Sequence, residues 1–221
     1  MYRRFLKRII DFTVTLIGLI CISPMFLFLC ALVRCKLGSP IFFRQVRITK
    51  DEKPFYILKF RSMTDARDEN GNLLPDTARF TKFGDFLRNS SLDELPELLN
   101  VLKGDMSLVG PRPLYPIYLP YYTKEEALRH TVRGGITGLA QINGRALCRW
   151  KDRFAYDVEY VKNVTLANDI KILWRTFFKV ANQESIGTPS VTDEGGLHII
   201  RELQQPEKIA IVESIKKQYG E

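Results

Sequence analysis

Histidine and cysteine are scarce in this chain of 221 residues, which holds two histidines, His130 and His198, and four cysteines. Two imidazoles do not make a histidine-rich zinc site, and no zinc-finger spacing occurs. Cys21, Cys30 and Cys35 lie in or beside an apolar stretch while Cys148 stands alone. That distribution is not a disulfide framework and fits a reducing compartment. Neither the P-loop nor the dinucleotide-binding fingerprint is present. RNA-binding aromatic motifs are missing too, so nucleic acid is disfavoured as a partner although the net charge is +8.

Charge itself is absent from Phe12 to Val33. At about 1.5 Å per residue a helix of that length crosses the ~30 Å hydrocarbon layer. No small-residue cleavage site closes the segment and Arg34-Cys35-Lys36 follows it, so the sequence reads as a permanent anchor rather than a signal peptide. Ser23-Pro24 interrupts its middle. Proline removes an amide and clashes with the preceding turn, so a kink or break is expected there, with the serine hydroxyl available to a freed carbonyl. Arg3, Arg4, Lys7 and Arg8 precede the segment and Arg34, Lys36, Arg44, Arg47 and Lys50 follow it. Cationic flanks on both sides belong in the cytoplasm, which favours a re-entrant hairpin over a single span, and they are matched by anionic membrane phospholipids.

Beyond the anchor, enough chain remains for one compact core. Pro40 to Val46 and Phe55 to Met63 read as two short strands joined by a charged turn, with Lys59 and Arg61 on one face. Residues 65–80 read as a polar loop, and Phe83, Phe86 and Leu87 as a short helix. Ser91-Leu92-Asp93-Glu94 then has the form of a capping box with Ser91 as N-cap, ahead of Leu95, Leu98, Leu99 and Leu102 at helical spacing. Acids at a helix start have an ordinary structural motive, yet the same free amides and partial positive charge also attract phosphate. Gly104 is positioned to end that helix. Gly110-Pro111-Arg112-Pro113 follows, where two prolines stiffen the backbone around a forked cation suited to a diphosphate. Gly134, Gly135, Gly138 and Gly144 cluster between Arg133 and Arg145 in a glycine-rich stretch of generic type. Thr123-Lys124-Glu125-Glu126 caps a predicted helix, and helices are predicted at about 150–162 and 168–183. The second carries Ile170, Leu173, Trp174, Phe177 and Ala181 on one stripe, read as core, with Trp174 as a candidate interface marker.

Four blocks in order, Lys59-Phe60-Arg61-Ser62-Met63, Ser91 to Leu98, Gly104 to Pro113 and Gly135 to Arg145, together with the Ser23-Pro24 break, resemble the bacterial sugar transferases, the small monotopic phosphoglycosyl transferases. The resemblance covers about residues 1–185. It implies transfer of sugar-1-phosphate from a UDP-sugar to a polyprenyl phosphate such as undecaprenyl phosphate at the cytoplasmic face of the bacterial plasma membrane. UMP is released and Mg2+ is required, at the start of surface glycan assembly. It gives Asp93 the nucleophile and metal-binding roles, and leaves Glu94 to assist either the second step or the metal. Arg112 and Arg145 are the implied phosphate contacts, with Pro111, Lys59 and Arg61 beside them. A direct single-step transfer, with Asp93 on the metal and Glu94 as base, and a non-enzymatic scaffold are the alternatives. Gly134 departs from the family's usual proline, which predicts a looser loop. The expected fold is α+β and mostly helical. It comprises a re-entrant helix-break-helix anchor over 1–37, a small cytoplasmic α/β catalytic domain with a short β-hairpin over 38–185, and a tail over 186–221 of unknown role. The motifs select neither a particular UDP-sugar nor an oligomeric state.

Overall fold

The computed structural model describes residues 2–143, 149–181 and 196–220. One long helix, α1 (Lys7–Leu37), dominates its N-terminal part. The chain continues through β1 (Phe42–Ile48), β2 (Pro54–Phe60), α2 (Asp76–Arg79), α3 (Lys82–Asn89) and α4 (Glu97–Lys103). After these come β3 (Ser107–Val109), β4 (Gly135–Thr137), α5 (Leu139–Asn143), α6 (Trp150–Lys162), α7 (Leu166–Ala181), α8 (Leu197–Glu202) and α9 (Ile209–Tyr219). The expectation of a mostly helical α+β fold with one hairpin is met. β1 and β2 pair antiparallel from Phe42 opposite Phe60 to Ile48 opposite Pro54, while β3 and β4 form a short parallel pair.

Helical geometry in α1 runs on through Pro24, so the expected break is not a break in secondary structure. The proline takes away the amide that would have bonded the Ile20 carbonyl, and Ser23 Oγ donates to that carbonyl at 2.8 Å instead. Both ends of the helix are packed on the rest of the chain. Near its start, Lys7, Asp11 and Thr15 are buried. Toward its end, Leu29, Val33 and Leu37 share a core with Phe60 and Leu87. Between them Ile17, Ile20, Leu27 and Phe28 are exposed. No water-soluble fold gains by presenting such a row to solvent, so this middle stretch is the part suited to a lipid phase.

Polar side chains fasten the start of α1. Asp169 in α7 accepts from Lys7 Nζ at 2.6 Å and from the Tyr2 hydroxyl at 2.5 Å, and the Tyr160 hydroxyl lies 2.8 Å from its other oxygen. Ser107 Oγ donates to Asp11 at 2.6 Å. Arg8 donates to the Val101 and Leu102 carbonyls, closing the C-terminal turn of α4 where free carbonyls need donors. As expected, Gly104 ends α4 in a left-handed conformation, φ 97°. Asn100, buried in the same helix, donates to the Tyr56 carbonyl at 2.8 Å and accepts from the Leu58 amide at 3.0 Å. One carboxamide thereby satisfies part of the free edge of β2.

One expectation is corrected by packing. The stripe on α7 is not core: Trp174 is 65% and Phe177 66% exposed, with Ile170 and Leu173 beside them, while the buried face holds Ile172 and Asp169. The tail, for which the motifs assigned no role, packs on the domain in its described part, residues 196–220. Leu197 of α8 and Val212 of α9 are fully buried against Tyr118, Tyr121 and Phe154. Arg201 pairs with Glu126 at 2.6 Å and donates to the Tyr121 carbonyl. Glu126 is held by the capping box read at Thr123: each residue's side chain bonds the other's amide, at 2.8 and 3.2 Å.

Candidate active site

The acid pair is built differently from the sequence expectation. Ser91 adopts a left-handed conformation, φ 57°, and its side chain caps nothing. Leu92–Glu94 forms a single 3-10 turn, and α4 begins only at Glu97. A capping box needs extended backbone at the N-cap, which φ 57° denies. The left-handed residue instead turns the chain so that Leu92 and Leu95 join the core under α1, while Asp93, Glu94 and Glu97 gather on the other side.

Lys59 and Arg112 reach these acids. Lys59 Nζ lies 2.6 Å from Glu94 Oε1 and 3.4 Å from Glu97 Oε1. Arg112 grips Glu94 with both terminal nitrogens, the longer contact being 3.5 Å. The strand and loop expectations for Lys59 and Arg112 therefore converge on one carboxylate. Burial alone would raise the Glu94 pKa, but Arg112 and then Lys59 outweigh it and hold the group ionised. Glu97 is fully buried, and neither of its oxygens accepts a hydrogen bond among the described residues. Burial, then the Glu94 charge, pushes its pKa up. Asp93 has no hydrogen-bond or ion-pair partner among the described residues, and burial followed by the Glu94 charge raises its pKa to about 6. A carboxylate without a partner, beside one that is fully neutralised, is a chemically available nucleophile.

The Pro-Arg-Pro loop is held from behind by residues that sequence patterns did not single out. Arg129 donates to the Arg112 carbonyl at 2.7 Å, to Asp157 at 3.0 Å and to the Tyr122 hydroxyl at 3.2 Å. Both Arg129 and Asp157 are buried, and their separation along the chain left no local signal of the pairing. Pro111 contributes its carbonyl, which accepts from the Gly135 amide at 3.0 Å. Glycines of the third and fourth blocks make this contact possible: a Cβ on Gly110 would stand 2.4 Å from the Arg133 carbonyl oxygen, and one on Gly135 2.0 Å from the Gly110 nitrogen. Nor is the loop loosened at Gly134. Its amide donates to Thr49 Oγ1 at 3.2 Å, a bond proline cannot make, and a Cβ there would meet Pro113 at 2.5 Å.

Arg61 and Arg79 are engaged elsewhere, and Arg88, though paired with Asp85, still acts on Asp93 through its charge. Arg61 is buried, donates to the Ser39 and Met63 carbonyls and pairs with Asp65. Arg79 bonds the Thr64 carbonyl at 2.8 Å, and Arg88 pairs with Asp85 at 2.6 Å. Arg145 lies outside the described residues. Glu97 was legible only as an acid one turn beyond Asp93; its burial was not.

The sequence that builds this constellation matches a known family. The sequence model of the bacterial sugar transferases covers residues 2–183. This chain belongs to that family. The transferase is 55% identical to the uncharacterized sugar transferase EpsL of Bacillus subtilis over 181 residues, 82% of this chain and 90% of EpsL. It is 42% identical over 183 residues to the UDP-glucose:undecaprenyl-phosphate glucose-1-phosphate transferase of Klebsiella pneumoniae, which takes in 78% of this chain and 39% of that protein. With the undecaprenyl-phosphate galactose phosphotransferase of Salmonella typhimurium it shares 39% identity over 190 residues, 78% of this chain and 40% of that protein. The matched part of this chain thus spans about two fifths of the two larger relatives and most of EpsL. All the acids and cations of the cluster fall inside the matched family region.

Proposed function

We propose that the transferase moves a sugar-1-phosphate from a UDP-sugar to undecaprenyl phosphate at the cytoplasmic membrane face, through an intermediate on Asp93. The observation that carries this reading is the unpartnered, buried Asp93 carboxylate next to the Glu94–Lys59–Arg112 cluster. Asp93 attacks the phosphorus bearing the sugar, the bond from that phosphorus to the bridging diphosphate oxygen breaks, and UMP leaves with the electron pair. The phosphate oxygen of undecaprenyl phosphate then attacks the same phosphorus. Its bond to Asp93 breaks and the carboxylate is restored. Arg112, held out by its flanking prolines and by Arg129, is the cation for the diphosphate charge, and Lys59 keeps Glu94 ionised during the cycle.

Mg2+ fits these residues. No cluster of three or more acids, histidines or cysteines among the described residues could cage a metal. However, magnesium is commonly held by one or two carboxylates together with substrate phosphates. Asp93, without another partner, would hold it with Glu94 nearby, and the ion would supply charge neutralisation on the diphosphate. Membrane placement is supported by the exposed middle of α1 and by the exposed apolar face of α7, whose Asp169 holds the foot of α1. Both ends of α1 packing on one folded unit favour the re-entrant, monotopic arrangement over a span.

Incubation of purified enzyme with labelled UDP-sugar and no lipid is expected to leave sugar phosphate on the wild-type protein and none on Asp93→Asn. UMP release without any trapped adduct would replace the two-step path by direct transfer. For topology, single cysteines introduced at residues 2 and 50 in a variant lacking native thiols are both expected to react from the cytoplasmic side. Labelling of residue 2 from outside would turn the anchor into a span.

A further inference from the structure

A second cationic site lies at the opposite end of α4 from the acid cluster. A cavity of about 640 Å³ opens beside the foot of α1, and Arg3, Lys7, Arg8, Lys50 and Arg133 line it with one acid, Asp11. Lys7 is matched by Asp169 at 2.6 Å and Asp11 at 3.7 Å, and Lys50 meets its neighbour Asp51 at 3.7 Å. The three guanidiniums are different. Arg3 donates to the Thr131 hydroxyl and carbonyl, Arg8 to the Val101 and Leu102 carbonyls, and Arg133 to the Gly104 carbonyl. Among the described residues none of the three meets a carboxylate. Arg8 and Arg133 even converge on the same residue, since a Cβ on Gly104 would stand 3.3 Å from the Arg8 guanidinium while Arg133 bonds its carbonyl at 2.8 Å.

Among the described residues lining the cavity Asp11 is the one acid beside them, its charge supporting Arg8 against burial and the Arg133 charge. Like charges gathered with so little countercharge raise the energy of the folded chain unless an anion joins them. α4 separates this place from the acids: its first residue, Glu97, faces Lys59, and its last carbonyls are bound by Arg8. At seven residues the helix is about 10 Å long. We propose that this cavity is a binding site for a phosphate ester, separate from the reaction centre. Forked guanidiniums match phosphate oxygens, and the volume admits more than a bare phosphate ion. The apolar surface of α1 starts beside it, with Ile9 and Phe12 exposed. An anionic lipid headgroup has this chemistry, its acyl chains lying along α1; free phosphate shares the charge without the tail.

The test does not depend on turnover. Full-length protein in a non-ionic detergent is titrated calorimetrically with dihexanoyl phosphatidylglycerol, with the zwitterionic phosphatidylcholine analogue, and with inorganic phosphate. The phosphatidylglycerol is expected to bind about tenfold more tightly than the phosphatidylcholine, the scale of one charge-assisted hydrogen bond. Arg3→Gln and Arg133→Gln are each expected to weaken it by a similar factor, while Arg133→Lys keeps most of the affinity. Lys50→Gln, at an exposed position that leaves the fold intact, is expected to weaken it less. Inorganic phosphate that binds as well as the lipid identifies a free-phosphate site, and phosphate that competes weakly identifies a headgroup site. Phosphatidylglycerol binding that the Arg3 and Arg133 variants leave unchanged, or that Arg112→Gln abolishes instead, overturns the proposal.

Discussion

In the proposed reaction Asp93 must lose its proton before it can attack phosphorus, and burial and the adjacent Glu94 charge delay that loss to about pH 6. An acid whose pKa is raised is neutral below that value and charged above it. With Mg2+ held at one concentration, formation of the enzyme-bound sugar phosphate is therefore expected to fall by up to about tenfold per pH unit below 6 and to level off at higher pH. Single-turnover rates between pH 5 and 8 would check this; a flat profile would separate the rate-limiting step from Asp93. Glu94, ionised throughout by Arg112 and Lys59, contributes no break in that range, whereas Glu97, raised to about 7 by burial and the Glu94 charge, titrates within it, and Glu97→Gln isolates the Asp93 limb. The acids and Arg112 were legible because charged residues beside glycine and proline stand out in a linear sequence. Glu97 and Arg129 were not, because what distinguishes them is burial and partners from distant segments.

At the level of elements, alternation and turn chemistry placed the hairpin, and apolar length placed α1, within a few residues. The misreading of α7 has a physical cause. A helical stripe of Ile170, Leu173, Trp174 and Phe177 has one period whether it faces a protein core or a bilayer, so periodicity cannot tell the two apart. Their exposure takes the stripe out of the core. The double substitution Trp174→Ser with Phe177→Ser is expected to weaken binding to vesicles by tenfold or more, each ring removing on the order of 2 kcal/mol of burial in lipid. The melting temperature in detergent is expected to stay within about 2 °C, since these rings support no internal core. A large loss of stability would return the stripe to the core. The capping box at Ser91 failed for a different reason: the leucines flanking the acids are drawn under α1, and tertiary packing overrode the local preference.

For the whole molecule, the family region ends at residue 183 while the aromatic cluster at Tyr118, Tyr121 and Phe154 is completed by α8 and α9. Those helices close the far side of α6, whose Asp157 holds Arg129 and, through it, the loop of Arg112. Leu197→Ala, at a position 1% exposed, is expected to cost about 3 kcal/mol and to lower the unfolding midpoint accordingly, as read by chemical denaturation. A change below half that value would show that the tail rests on the domain without supporting it. This arrangement was not legible beforehand, because the tail carries no glycine-proline-arginine block of the kind that made the segment around Asp93 and Arg112 recognisable.

Under the proposed reaction, a membrane-seated helix fastened to one body at head and foot would fix the height of Asp93 above the lipid. A hydrophobic acceptor diffusing in the leaflet would then search two dimensions instead of three, and only the nucleotide sugar would have to arrive from bulk water.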